Sequence, residues 1–247
     1  MTKKDSTALG RGRLDRFISE KLSISRRDVR LMLAQKRVCV DKVIAVNIEQ
    51  IIDRFSFITF DEQVLQQNNP CYVMLNKPVG VVSATKDKQH KTVIDLLNLI
   101  KLPEKNELHI VGRLDLNTSG LVLLTNDSRW SERLTQPTSK VEKVYQVTLK
   151  NPLTNDYISA FKEGMYFDYE DITTQPAQLT IVSDYVAQVI LTEGRYHQIK
   201  RMFGRFRNPV VKLHRSAIGG LCLDETLKVG ENRMLSSEEV ASIFNKR

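Results

Sequence analysis

The spacing of hydrophobic side chains near the start of the chain predicts two helices and a small sheet. Apolar residues at helical intervals predict a helix over Leu14–Leu22. Ser25 is a typical N-cap for a second helix over 26–35, whose apolar face leaves basic side chains pointing outward. Further along, β-branched and apolar residues predict a hairpin of strands 38–40 and 43–46, and then a strand over 55–60.

A polar stretch separates this region from the rest of the chain. Residues 63–69 are rich in Gln and Asn, and Pro70 follows them, which is typical of a linker. We therefore predict four parts: a flexible tail at 1–9, a first domain at 10–62, a linker at 63–70 and a second domain at 71–247.

Beyond that stretch, short apolar strands and helical segments follow one another in no regular order. The pattern predicts strands at 72–75, 79–83, 121–125, 144–149, 177–182, 185–191 and 210–213. It predicts helices at 93–100, 129–135, 154–164, 195–205 and 236–244. Ser236 and Glu239 have the spacing of a capping box at the start of the last helix. The irregular order favours an α+β fold, with flanking helices on a mixed, mainly antiparallel sheet.

Composition narrows the class of protein. A hydrophobic share of 41% and a charged share of 27% are those of a globular chain and exclude wholesale disorder. The longest apolar run, 71–75, is far shorter than the ~20 residues that span a bilayer, and no apolar segment of a signal peptide is visible. The three cysteines lie far apart, without a CxxC pair. We therefore expect a cytoplasmic protein with no membrane partner.

The positive charge of the chain is concentrated in two places. Lys and Arg number 37 against 29 Asp and Glu, which gives a net charge of +8. Residues 1–37 contain eleven basic and four acidic side chains, and residues 195–215 contain seven basic ones and no acidic one. Aromatic residues are interleaved with the second group, as on surfaces that contact phosphates and stack on bases. A solvated basic helix face is the alternative interpretation.

Asp115 is the strongest catalytic candidate in the sequence. It lies on a polar loop between Gly112 and Gly120, and an apolar strand follows, a setting in which proteins often place functional groups. Arg113 could keep this carboxylate ionised, and Thr118 could fix the loop through backbone hydrogen bonds. The alternative is an aspartate that only caps the turn.

A second candidate is Tyr145, which could stack on a base and present its hydroxyl, or pack only in the core. The sequence contains no phosphate-binding loop, dinucleotide fingerprint, HExxH motif or zinc-finger cysteine pattern. His197 and His214 lack partners at metal-ligand spacing. We therefore expect chemistry that needs neither a metal nor a cofactor.

Several segments together resemble the RsuA/RluB branch of the pseudouridine synthase family. They are MLNKPVGVVSAT at 74–85, GRLDLNTSGLVLLTND at 112–127, KVYQV at 143–147, GRYHQIKRM at 194–202 and LHRSAIGG at 213–220. Residues 13–46 resemble an S4 RNA-binding domain. Lys36 and the pair Asp41-Lys42 stand where such domains usually carry Gly and Asn-Gly, so a positive φ at Lys42 would carry a cost. The resemblance covers essentially residues 10–245. It implies a small αL-type S4 domain in front of a pseudouridine synthase domain.

The resemblance also implies roles for individual residues. Enzymes of this family break the N1–C1′ bond of a uridine, turn the uracil and rejoin it through C5. Asp115 would be the catalytic aspartate, either by attack on C1′ or by removal of a ribose proton. Lys200 would keep Asp115 charged, and Tyr145 would stack on the flipped uracil and take the C5 proton. Ile199 would line the uracil pocket, and further substrate contacts would come from Arg113, Arg195 and His197.

The expected partner is ribosomal RNA. YHQIK at 196–200 resembles the small-subunit enzymes of the branch, which implies 16S rRNA in an assembling small subunit as the substrate of a monomeric enzyme. The S4 resemblance implies RNA contacts by basic side chains of the first domain: Arg13, Arg26, Arg27, Arg30, Lys36 and Arg37. Two alternatives stay open, a large-subunit (23S) rRNA synthase of the same branch and a non-catalytic S4-domain ribosome-assembly factor.

Overall fold

The computed structural model describes residues 11–97 and 107–245. The chain divides after Pro70 into two compact units. The predicted tail at 1–9 lies outside the described residues, as do the last two residues of the predicted second domain. No helix in the described part of the chain is long and apolar enough to cross a membrane.

The first unit combines two helices with short antiparallel strands. Its elements are β1 (Gly12–Arg13), α1 (Leu14–Leu22), α2 (Arg26–Ala34), β2 (Val38–Val40), β3 (Val43–Ile44), β4 (Ile51–Ile52), β5 (Ile58–Phe60) and β6 (Gln63–Gln66). Strands β3, β2, β5 and β6 form one sheet in that order, and β1 pairs with β4. Buried side chains of both helices and of the sheet share one apolar core.

Local chemistry explains where these elements begin and turn. Ser25 and Asp28 form a capping box at the start of α2, as the N-cap prediction requires. Lys36, Asp41 and Lys42 all have positive φ, of 60°, 52° and 68°. These are the positions at which the S4 resemblance led us to expect Gly or Asn-Gly, so the hairpin turn keeps its left-handed backbone with residues that are less suited to it.

The predicted linker at 63–70 is wrong for its first half. Residues 63–66 are strand β6, paired with β5, and the Gln66 side-chain amide donates to the backbone oxygens of Asp53 and Ser56 at 2.7 and 2.8 Å. An edge strand is held by backbone hydrogen bonds and can carry polar side chains on both faces. A polar edge strand therefore has the composition of a linker. The strand predicted at 55–60 begins only at Ile58, because Asp53 Oδ1 accepts from the backbone N–H groups of residues 55 and 56 in a turn.

The second unit is built on a large sheet. Its strands are β7 (Tyr72–Lys77), β8 (His109–Val111), β9 (Ser119–Thr125), β10 (Lys143–Leu149), β11 (Tyr166–Phe167), β12 (Ile172–Thr173), β13 (Gln178–Ser183), β14 (Val186–Leu191), β15 (Val210–Ile218), β16 (Leu221–Cys222) and β17 (Asn232–Met234). Its helices are α3 (Ser128–Thr135), α4 (Asp156–Glu163), α5 (Gln198–Gly204) and α6 (Ser237–Ser242), with short 3₁₀ turns at Ile94–Leu96 and Pro137–Ser139.

The main sheet is mixed and mainly antiparallel, as predicted. Its order is β13-β14-β10-β15-β9-β7-β17, with β16 beside β15 and β8 beside β9. Within the described residues, β9 and β15 are the one parallel pair. The consecutive side chains Leu121, Val122, Leu123 and Leu124 of β9 alternate between two apolar clusters, one on each face of the sheet. Helices α4 and α5 contribute to one cluster and α3 to the other, so the flanking helices are confirmed.

Two predicted elements of this unit differ from the structure. Residues 79–83 form no regular strand, since only Val82 makes an isolated bridge, to Thr92. The helix predicted at 93–100 is the short turn Ile94–Leu96, and residues 98–100 lie outside the described part. The apolar residues that suggested both elements instead bury single side chains, such as Val81 and Val93, in the core.

Candidate active site

Asp115 lies on the loop between β8 and β9, and the segment after β7 holds this loop in place. Ser83 is buried, and its hydroxyl donates to the Leu114 oxygen at 2.7 Å and accepts from the Leu114 N–H at 3.0 Å. Within the loop, the backbone N–H of Thr118 donates to the backbone carbonyl oxygen of Asp115 at 3.0 Å. The backbone on both sides of the carboxylate is therefore fixed before any substrate arrives.

A buried lysine also fixes the Asp115 loop. Lys77 ends β7 with no exposed surface, and its ammonium donates to the backbone oxygens of Thr118 at 2.7 Å and of Pro78 at 2.9 Å. Burial lowers the pKa of Lys77 to about 8, although the nearby Asp115 charge acts in the opposite direction.

The end of the loop must be glycine. Gly120 has a φ of +105° and pairs with Arg215 across the parallel β9–β15 contact. A Cβ at this position would lie 2.3 Å from the Arg215 backbone oxygen. The absence of a side chain is therefore what lets the two strands approach where the Asp115 loop enters the sheet.

Helix α5 presents its first turn to Asp115. Glu193 organises the approach to it by accepting from Arg195 Nε at 2.9 Å and from the Gln198 amide at 2.7 Å. His197 then adopts a left-handed backbone with a φ of 50°, and the helix begins at Gln198. The predicted helix at 195–205 therefore starts three residues late, because residues 195–197 make this turn.

Asp115 contacts two groups of this turn. Its Oδ2 lies 3.7 Å from Lys200 Nζ and 3.4 Å from His197 Nε2, with about a third of each side chain exposed. Lys200 thus takes the position that the sequence analysis gave it. Arg113 does not: it is exposed, and within the described residues it makes no ion pair with Asp115.

These groups open into a cavity of about 740 Å³. Predicted site residues that line it are Arg113, Asp115, Tyr145, Arg195, His197, Ile199 and Lys200. Tyr145 is 8% exposed and also belongs to the core cluster of its sheet face. The ring of Tyr145 therefore packs in the core while the residue also lines the cavity, and its stacking on a base stays a prediction. In the described part of the chain, no three His, Cys, Asp or Glu side chains are grouped to hold a metal.

Comparison with known proteins agrees with this geometry. A family model described as RNA pseudouridylate synthase matches residues 71–204. The chain belongs to the pseudouridine synthase family. A relative from Pseudomonas aeruginosa, named ribosomal small subunit pseudouridine synthase A, is 46% identical over 94% of this chain and 100% of its own length. The relative of the same name from Escherichia coli (strain K12) is 42% identical over 94% and 99%. A solved structure described as a pseudouridylate synthase is 39% identical over 94% and 99%, with a TM-score of 0.67.

Membership of the pseudouridine synthase family confirms the resemblance seen in the sequence. The basic stretch at 195–215 nevertheless presents fewer unpaired cations than its composition suggested, and its contact with RNA stays a prediction. Most of its cations are engaged within the protein. Arg195 pairs with Glu193, Arg201 with Glu170 and Arg205 with Asp168, at 2.9, 2.5 and 2.7 Å. Arg215 is buried. Arg207 and Lys212 are exposed and make no ion pair among the described residues.

Four residues around this pseudouridine synthase site were not predicted from the sequence: Lys77, Ser83, Glu193 and Arg215. The pattern of apolar residues in the sequence could have revealed two of them. Lys77 ends an apolar strand, and Arg215 lies two residues after the buried Leu213 of β15, so both are cations at inward-facing positions. Ser83 and Glu193 act through loop contacts, for which a single sequence offers no periodic signal.

The candidate RNA-binding residues of the first unit fall into two groups. Arg13 pairs with Asp15 and Glu49, and Arg37 pairs with Asp61 and lies over the Phe60 ring. Asp15 is buried; burial alone would raise its pKa, but hydrogen bonds from Arg13 and from the Arg16 N–H outweigh it and lower that pKa. The remaining candidates are exposed: Arg26, 4.0 Å from Asp15, and Arg27, Arg30 and Lys36, without ion pairs among the described residues.

Proposed function

We propose that this protein isomerises a uridine of small-subunit (16S) ribosomal RNA to pseudouridine, as a monomer in the cytoplasm, acting on RNA in an assembling small subunit. The observation that carries the proposal is Asp115, held on a fixed loop at the mouth of a cavity with Lys200 and His197 against one carboxylate oxygen. The small-subunit target is supported by the names of relatives that match along nearly their whole length.

The target uridine must leave its stack to reach Asp115, which costs a few kcal/mol. The Asp115 carboxylate then attacks C1′ or removes a ribose proton, and the N1–C1′ bond breaks with its electron pair going to uracil. After the uracil turns, C5 bonds to C1′ as the bond between C1′ and the Asp115 oxygen breaks. On the alternative route, Asp115 returns the ribose proton as C5 bonds to C1′. In the last step the Tyr145 oxygen takes the C5 proton as its own proton passes to solvent. The electron pair of the C5–H bond restores the C5–C6 double bond, and N1 takes a proton from solvent.

The other site residues serve binding and charge in this scheme. Ile199 contacts the uracil ring, and Arg113, Arg195 and His197 contact the sugar and phosphates of the flipped nucleotide. Lys200 keeps Asp115 ionised when the RNA covers the cavity. None of these roles uses a metal or a cofactor.

The test is a map of pseudouridines in ribosomal RNA from cells that lack the protein, with and without plasmid-borne native or Asp115→Asn protein. We expect one 16S position to lose its pseudouridine, native protein to restore it, and the folded Asp115→Asn protein to leave it unmodified. A lost 23S position would overturn the proposed target. Full restoration by Asp115→Asn would overturn the catalytic assignment and favour a non-catalytic assembly factor.

We further propose that the first unit is an S4 RNA-binding domain that docks through its unpaired cations. Replacing Arg27, Arg30 and Lys36 together by Gln is expected to weaken 16S rRNA binding about tenfold or more, because contacts with phosphates dominate such affinities. A matched control replaces the exposed Lys86, Lys88 and Lys91 of the second unit by Gln, which removes the same charge. Equal losses in the two triple variants would show that net charge, not this surface, determines binding.

A further inference from the structure

Arg215 is a buried cation at the back of the active-site cavity. Its side chain is 1% exposed, it lines the cavity, and no carboxylate of the described residues lies within ion-pair distance of it. A guanidinium in such a place is costly unless its N–H groups are satisfied by well-placed acceptors. The hydrogen-bond partners of Arg215 therefore indicate its role.

Two of these partners flank the Asp115 loop, one at its first residue and one in β9, which follows the loop. Arg215 Nε donates to the Leu121 oxygen at 2.8 Å, and Nη2 donates to the Gly112 oxygen at 2.5 Å. Gly112 has a φ of +69°, and a Cβ there would lie 3.6 Å from Arg215 Nη1. One planar side chain thus fixes the spacing between the start of the loop that carries Asp115 and the strand β9 that follows it.

The third partner is the other catalytic candidate. Arg215 Nη1 lies 3.5 Å from the Tyr145 hydroxyl oxygen, a long contact in which the arginine donates, and the guanidinium carbon is 6.0 Å from the ring centre. Tyr145 and Arg215 are also directly opposite each other on β10 and β15. A hydroxyl oxygen that accepts from arginine has its own hydrogen free to point into the cavity.

We propose that Arg215 is a positioning residue that sets the Asp115 loop and the Tyr145 hydroxyl in one geometry and places a permanent positive charge beside the oxygen that receives the C5 proton. The proposal rests on the proposed isomerase function. A lysine at this position could keep the charge, but it lacks the planar fork that reaches three acceptors in different directions.

Lys77 provides a matched control for this role. It is also a buried cation that donates to the backbone of the Asp115 loop, at Thr118 and more distantly at Leu116, 3.5 Å away. Among the described residues, its hydrogen-bond partners do not include Tyr145. Removing Lys77 therefore perturbs the loop without removing charge from the tyrosine hydroxyl.

The experiment measures single-turnover kinetics of full-length native, Arg215→Lys, Arg215→Gln and Lys77→Met proteins. The substrate is a 16S rRNA transcript made with normal uridine or with uridine deuterated at C5. We expect the Arg215 variants to lose about ten- to hundredfold in rate at saturating RNA, with KM little changed. We also expect a C5 isotope effect to appear or grow, because the proton transfer to Tyr145 becomes slower. Lys77→Met should lower the melting temperature without increasing the isotope effect.

Folded Arg215 variants with the native rate and isotope effect would overturn the proposal. A rate loss accompanied by an unchanged isotope effect, or by the same isotope effect in Lys77→Met, would reduce Arg215 to a structural residue and also overturn it. If Arg215→Gln does not fold, Arg215→Lys decides, and failure of both to fold assigns the residue to stability alone. Native protein that forms no pseudouridine would instead refute the proposed function, so the two failures are distinguishable.

Discussion

Replacing Lys200 by Met tests the electrostatic centre of the site. Lys200 is the cation of α5 that approaches Asp115 Oδ2, at 3.7 Å. The carboxylate is partly hydrated in the free protein, but RNA that covers the cavity removes that water and penalises the ionised form. A cation beside the carboxylate offsets this penalty. In the proposed mechanism, the same cation also stabilises the negative charge that passes to the uracil as the N1–C1′ bond breaks.

The magnitude follows from the geometry. Two unit charges 3.7 Å apart attract by about 4.5 kcal/mol at an effective dielectric constant of about 20. The side chains of Lys200 and Asp115 are 30% and 33% exposed, so water screening and the ordering of the lysine reduce the net effect to about 1–2 kcal/mol. Since about 1.36 kcal/mol corresponds to tenfold in rate, we expect Lys200→Met to slow the reaction about five- to thirtyfold.

The assay is single-turnover pseudouridine formation on a 16S rRNA transcript, with RNA affinity measured in parallel. Lys200→Met should lower the rate at saturating RNA, and Lys200→Arg should recover most of it, because the charge remains. Lys212→Met is the matched control, since Lys212 is an exposed cation of the same basic stretch without an ion pair among the described residues; it should affect only affinity. A Lys200→Met rate within twofold of native, or an equal rate loss in Lys212→Met, would refute the reasoning.

Three further predictions follow from the site. Tyr145→Phe should fold with native stability and form no pseudouridine, measured by mass spectrometry of digested RNA; near-native turnover would leave this tyrosine a core residue. Burial lowers the pKa of Lys143, a cavity-lining ammonium, to about 8, so it is charged below that pH and neutral above it. KM for RNA should therefore rise severalfold between pH 7 and 9, and Lys143→Gln should flatten that rise. Gly120→Ala should lower the free energy of unfolding by about 2–4 kcal/mol in urea titrations, because of its positive φ and the 2.3 Å approach of the Arg215 oxygen.

Periodic patterns in the sequence predicted the regular elements of the second unit well. The strand at 121–125 is β9 without its first two residues, and the antiparallel pair at 177–182 and 185–191 corresponds to β13 and β14, because apolar runs and apolar alternation both report burial. The prediction of a strand at 79–83 is wrong because apolar residues report burial and not strand geometry. Its apolar residues are buried one by one in an irregular segment, and a single sequence cannot distinguish that from a strand.

The sequence predicted those residues of the candidate site that belong to recognisable motifs. It did not predict the residues whose roles depend on contacts between distant segments. The Asp115 loop, Tyr145 and Lys200 come from three separate segments, and the structure brings all three to one cavity. That Arg113 makes no ion pair with Asp115 among the described residues could not be predicted, because it depends on the conformation of the loop after β8. The role of Glu193 was hidden as well, since its contacts with Arg195 and Gln198 exist only after the turn before α5 has formed.

The distribution of charge shows why composition overstates the surface available to RNA. The stretch 195–215 contributes seven cations and no acid to the sequence, yet acidic side chains from other segments, Glu170 and Asp168 among them, neutralise several of these cations. A phosphate can displace such a carboxylate only by leaving it unpaired, so a paired arginine adds little to RNA affinity. The affinity of this protein for RNA, and its salt dependence, should therefore follow the unpaired cations rather than the net charge of +8.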